Sequence, residues 1–168
     1  GYRHLELYFG VSGSGRVLPT INPRLHPEQI AWIANHAEDQ VLCFDMTFLP
    51  IIQAIHSKCE TVRQWVAMCD ADKLPNDSGI PNLVSYESWI GGQSTDYQWP
   101  NFDENSASSM CYTSGTTGNP KAALYSHRST ILHAYAAALP DVMGISARDS
   151  ILPVVPMFHV NAWGIPYS

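Results

Sequence analysis

Positive charge is scarce in this chain. Nine Lys and Arg stand against fifteen Asp and Glu, leaving a net charge of −6 over 168 residues. A nucleic-acid surface needs a basic stripe, and these cations are too few to build one. Cysteine is also sparse, with Cys43, Cys59, Cys69 and Cys111 only. No pair has CxxC spacing, which argues against a zinc site or disulfide framework and for buried free thiols in a reducing compartment. No apolar run approaches the roughly 18 residues of a membrane-spanning helix, and no signal-peptide pattern opens the chain. The expectation is a cytoplasmic protein, with a peripheral membrane contact left open. HExxH and GxSxG are both missing, so zinc-hydrolase and serine-hydrolase chemistry lack their usual signatures. His36, His127 and His133 have no metal-ligand spacing. What is plentiful is apolar matter, 45% of the residues, enough for one ordinary domain with a sizeable core.

The apolar pattern alternates between short strands and helices. A helix is expected over residues 3–9, after which Gly10, Gly13 and Gly15 loosen the chain. Residues 16–21 read as a strand that Asn22-Pro23 stops. Pro27 suits a first helical position, and Ile30, Ile33, Ala34 and Ala37 follow at helical spacing. Residues 41–44 read as a buried strand, 48–56 as a helix striped by Leu49, Ile52 and Ile55, and 61–68 as a strand. Residues 70–105 are rich in Asp, Asn, Ser, Gly and Pro, an irregular excursion with one short helix over 86–90. Its aromatics Tyr86, Trp89, Tyr97 and Trp99 read as pins of this loop to the core rather than as a ligand stack. Strands around Met110 and Leu124, a helix over 129–138 and a strand over 151–155 complete the pattern. Such alternation predicts an α/β fold, a parallel or mixed sheet with helices on its faces.

One segment carries most of the chemistry. Residues 112–121 read YTSGTTGNPK, of which six are Ser, Thr or Gly. Glycines and small hydroxyl residues let several backbone N–H groups converge on one anion. Lys121 adds a mobile positive charge suited to phosphate. A Ser/Thr/Gly cluster is also the composition of an ordinary surface turn, and the residues alone leave both readings open. The common P-loop is disfavoured, because Lys121 follows Asn119-Pro120 and precedes Ala122 instead of closing a Gly-Lys-Ser/Thr.

TSGTTGNPK resembles the phosphate-binding signature of the adenylate-forming enzymes, which include acyl-CoA synthetases, luciferases and peptide-synthetase adenylation domains. Residues 153–163, PVVPMFHVNAW, and residues 15–45 are similar to the same superfamily, so the likeness covers nearly the whole chain. The HVNAWG wording resembles the fatty acyl-CoA synthetase branch. One departure is Ala122, where the family usually has Gly; Ala is harmless there if a strand begins at that point. The resemblance implies an internal piece, cut at both ends, of a large N-terminal domain, residues 1–168 being part of its AMP-binding fold. The smaller C-terminal domain with its catalytic lysine is expected to lie outside the chain.

The resemblance also implies roles. Thr113, Ser114, Gly115, Thr116, Thr117, Gly118 and Lys121 would bind ATP phosphates, with Thr113 near Mg2+ and Lys121 neutralising the departing pyrophosphate. His159 would orient the carboxylate or shape the pocket where acid and nucleotide meet; on its own, it reads as a core histidine. Trp163 would gate the acyl tunnel and Val160 would lie against the acyl-adenylate, with Asn161 beside them in the substrate site, although an apolar Trp is equally at home in a core. Asn161 has two readings, a bond to backbone or to ligand. The implied activity is ATP-dependent activation of a carboxylic acid, expected to be fatty, followed by transfer to coenzyme A. The resemblance allows a homodimer. The competing readings are an ATP- or phosphate-binding α/β module without ligase chemistry, and a non-catalytic interaction piece.

Overall fold

A computed structural model describes residues 1–113 and 118–168. It divides into two compact units, Gly1–Asn22 with Gln98–Ser168, and Pro23–Tyr97. Each holds a three-stranded sheet with helices, the α/β class expected.

In the unit Pro23–Tyr97, helix α2 (Pro27–His36) starts where Pro27 removes an N–H that would have no partner. His26 Nδ1 accepts from the Glu28 N–H at 3.4 Å, and Gln29 accepts from the His26 N–H at 3.3 Å. α2 buries Ile30, Ala31, Ile33 and Ala34, and α3 (Leu49–Ile55) buries Ile52 and Ile55. Burying one such isoleucine contributes about 1.5–3 kcal/mol. The strands β2 (Val41–Phe44), β3 (Gln64–Ala67) and β4 (Leu83–Ser85) run parallel in that order, with Leu42 opposite Trp65 and Trp65 opposite Leu83. β4 corrects the expectation that the excursion holds a helix alone. Three residues after Pro81-Asn82 carry no periodicity, and the open edge of β3 supplies the order. Ser85 ends β4 and caps α4 (Tyr86–Ile90), accepting from the Ser88 N–H at 3.2 Å.

The other unit begins with α1 (Tyr2–Gly13), which runs through Gly10 and Gly13 instead of stopping at Phe9. Glycine in a helix costs about 1 kcal/mol relative to alanine. Close packing explains Gly13: a Cβ there would sit 2.7 Å from the Trp99 ring. Trp99 thus lies across α1 while remaining 61% exposed, whereas Tyr86 is the buried pin. Strand β1 (Leu18–Thr20) pairs parallel with β5 (Ala107–Thr113), and β5 pairs antiparallel with β6 (Lys121–Ser126). The sheet is therefore mixed. The connection from Thr113 to Lys121 is too short for a parallel return, which needs a crossover of about a dozen residues or more.

Helix α5 (His127–Ala138) starts at Ser126, whose hydroxyl accepts from the Ser129 N–H at 3.1 Å. Ala137 is its one fully buried residue; Ile131, Leu132 and Tyr135 are exposed, as is Leu124 on β6. The strand expected over 151–155 does not form. Leu152 and Val154 are 85% and 88% exposed. Pro153 and Pro156 donate no ladder bonds, and the segment pairs with no strand among the described residues.

All four cysteines are free, with Cys59, Cys69 and Cys111 buried. Burial pushes the Cys43 thiol up to about 12 and the Cys59 thiol up to about 11, the latter helped by the neighbouring Asp39 charge. Among the described residues, no helix is long and apolar enough to cross a membrane.

Candidate functional site

Strand β5 carries both parts of the candidate site. The strand is buried on both faces, at Ser108, Ser109, Cys111 and Tyr112, and Thr113 emerges exposed at its end. Lys121, the first residue of β6, is its partner across the ladder and is also exposed. Thr113 Oγ1 donates to the Lys121 carbonyl at 3.3 Å. One hydroxyl and one ammonium therefore stand together at the mouth of the glycine-rich hairpin. Ser114, Gly115, Thr116 and Thr117 lie outside the described residues. Gly118 has φ +93°, which a side chain would strain. Ala122 sits in the ladder opposite Tyr112 and is not among the residues with positive φ, so a strand does begin there.

The chemistry of Thr113 suits a magnesium site. Its oxygen keeps lone pairs while its proton is donated, and a threonine hydroxyl can join phosphate oxygens and water around magnesium, as in P-loops. Among the described residues, no group of three or more His, Cys, Asp or Glu could hold a metal by itself.

The second part is the turn Val160–Trp163. Helical spacing places Val160 and Trp163 on neighbouring turns of an ordinary helix, and the structure differs. Val160, Asn161, Ala162 and Trp163 have φ of +49°, +49°, +50° and +57°, and Gly164 continues at +69°. This is one left-handed turn, which costs L-residues about 1–2 kcal/mol each. Buried hydrogen bonds offset part of that cost. Asn161 Oδ1 accepts from Thr20 Oγ1 at 2.9 Å, and Asn161 Nδ2 donates to Ser109 Oγ at 3.2 Å. Thr20 Oγ1 also reaches the Phe158 carbonyl at 3.3 Å, and the Tyr8 hydroxyl donates to the Met157 carbonyl. Thr20, Ser109 and Asn161 are all buried. Burial, with smaller contributions from the neighbouring Tyr167 and Cys111 side chains, holds Tyr8 far above the usual phenol range, so it remains a donor.

The turn separates its residues cleanly. Asn161 and Ala162 face inward, while His159, Val160 and Trp163 are exposed, Trp163 by 58%. Asn161 finds its partners in side chains, and both ends of its amide are taken. Tyr8, Thr20 and Ser109 escaped the sequence reading. Their signal was faint: hydroxyls at inward strand and helix positions, which must find partners once buried. Ser109 and Thr113 share β5, four positions or roughly 13 Å apart along the strand. His127 begins α5 against the Phe102 ring at 4.4 Å, and burial lowers its pKa.

Comparison with known proteins bears on this geometry. A medium-chain-fatty-acid–CoA ligase of Ectopseudomonas oleovorans is 59% identical over 167 residues, covering 99% of this chain and 30% of the relative. A 3-methylmercaptopropionyl-CoA ligase of Ruegeria pomeroyi is 54% identical over 166 residues, covering 99% and 31%. A solved long-chain-fatty-acid-CoA ligase of Archaeoglobus fulgidus shares the fold, with a TM-score of 0.79 at 20% identity over 99% of this chain and 31% of that one. The chain spans about 30% of the length of the curated relatives it matches. The family model described as AMP-binding enzyme matches residues 1–168, and the chain belongs to that family.

Proposed function

We propose that the chain is part of the large N-terminal domain of an ATP-dependent, AMP-forming carboxylate–CoA ligase whose acid is fatty. In the first step a carboxylate oxygen attacks the α-phosphorus of ATP, and the bond to pyrophosphate breaks. In the second, the thiol of coenzyme A attacks the acyl carbon, and AMP leaves. The carboxylate is already ionised at neutral pH, so His159 acts by orienting it and not by removing a proton. Thr113, Ser114, Gly115, Thr116, Thr117 and Gly118 cradle the phosphates, and Lys121 neutralises the charge that builds on pyrophosphate. Magnesium, held by Thr113 with phosphate oxygens, would supply further charge neutralisation. Val160 and Trp163 border the acyl chain.

The observation that carries this reading is that one strand, β5, ends in the Thr113–Lys121 pair and also anchors the turn bearing His159 and Trp163. A phosphate-binding module without ligase chemistry has no use for the second feature. The catalytic lysine belongs to a further domain outside this chain, and the exposed apolar face of α5 supports further structure packing there. A cytoplasmic setting suits four free thiols. A thioether acid is the second reading, supported by the identity to the Ruegeria relative.

The test is pyrophosphate–ATP exchange by the full-length protein with acids of short, medium and long chain and a thioether acid. Exchange that depends on a fatty acid supports the proposal. Nucleotide binding without acid-dependent exchange overturns it in favour of a simple binding module.

A further inference from the structure

We infer that Thr20, Ser109 and Asn161 are positioning residues that set acid recognition by locking Val160–Trp163 in its left-handed turn. The inference rests on the reading above, that this turn borders the acid. Four consecutive residues with side chains have positive φ, a region that chains of such residues leave unless something holds them. The holding groups are few and specific. The Asn161 amide uses its oxygen on Thr20 and its nitrogen on Ser109, and all three residues are buried. The same threonine proton is shared with the Phe158 carbonyl at 3.3 Å, the longer of the two contacts, on the other side of His159. None of the three side chains points to solvent, whereas His159, Val160 and Trp163 all do. The clamp therefore acts through the residues it presents. Thr20 and Ser109 lie on paired strands, β1 and β5, so the turn takes its position from the sheet that also bears the Thr113–Lys121 pair.

The experiment uses the full-length protein with Asn161→Ala, Asn161→Asp, Ser109→Ala, Thr20→Val and the conservative Thr20→Ser. Asn161→Asp keeps size and the oxygen facing Thr20 but lets the Ser109 hydroxyl turn and donate instead, whereas Asn161→Ala removes both bonds. The expected result is an acid KM raised about tenfold, the scale of one buried hydrogen bond, an ATP KM within about twofold, and recovery in Thr20→Ser. Combining Thr20→Val with Asn161→Ala should do no more than the worse single change, because the residues share one network. An acid KM within about twofold of wild type in a folded Asn161→Ala protein overturns the inference. So does a parallel rise in both KM values, the mark of a general structural role. If the wild-type protein shows no acid-dependent exchange, the ligase reading fails separately. Amide hydrogen exchange over residues 158–164 then reads the clamp: faster exchange in the variants supports it, and unchanged protection overturns it.

Discussion

Thr113 and Lys121 face each other across the first rung of a hairpin, the threonine hydroxyl donating to the lysine carbonyl at 3.3 Å. That bond uses the lysine main chain and leaves its ammonium free for a ligand. Lys121→Ala should therefore leave the hairpin standing while weakening nucleotide binding. A charge-assisted bond lost from a phosphate costs about 1.5–3 kcal/mol, so ATP affinity should fall roughly 10- to 100-fold. Titration calorimetry with ATP on the full-length protein checks this, with thermal melting as the control for folding. Unchanged affinity would remove Lys121 from phosphate binding.

Much of this architecture is written locally. α2 is legible because Pro27, Glu28 and a regular apolar stripe agree on one element, and β2 because residues 41–44 form an apolar run of strand length. The hairpin's glycines, hydroxyls and lysine are equally plain, since they form one contiguous segment. Other features depend on distant partners. β4 is three residues long and owes its form to β3. Residues 151–155 have a strand's apolar content and find no strand neighbour among the described residues. The left-handed turn is the least legible feature of all. Val, Asn, Ala and Trp have no shared local preference for positive φ, and Thr20 and Ser109, far away in sequence, impose it.

Asp39 gives the chain a pH dependence. Burial pushes its carboxyl up to about 7, against about 3.9 in an unfolded chain. Between those values the folded state holds a proton that the unfolded state has released, so stability falls as pH rises through this window. Below it the contribution is fully present. Thermal melting should show the wild type losing stability between about pH 4 and about pH 7, and Asp39→Asn should flatten that slope. Equal slopes in the two proteins would mean that Asp39 ionises freely in the folded state.

Ile131, Leu132 and Tyr135 make an apolar, exposed face of α5, and Leu124 on β6 is exposed as well. A face of this kind on a helix is ordinarily covered. The 168-residue chain expressed alone should bind an environment-sensitive apolar dye, and Leu132→Glu should reduce that binding and raise solubility. In the full-length protein the same substitution should destabilise, by about 2–3 kcal/mol if the leucine becomes fully buried. Chemical denaturation of both forms separates the cases. Destabilisation of neither form would indicate that this face stays in water.

Gly164 ends the left-handed turn, and two separate constraints meet there. Its φ is +69°, and a Cβ would lie 3.0 Å from His133 Nδ1 on α5. Gly164→Ala should therefore cost about 1–2 kcal/mol from the backbone alone, with the contact adding to it. His133→Ala opens the space but leaves φ unchanged. In a double-mutant cycle read by denaturation, the pair should recover the contact part of the loss and retain the backbone part. Full recovery would mean that crowding against His133, and not the left-handed backbone, is what requires glycine at this position.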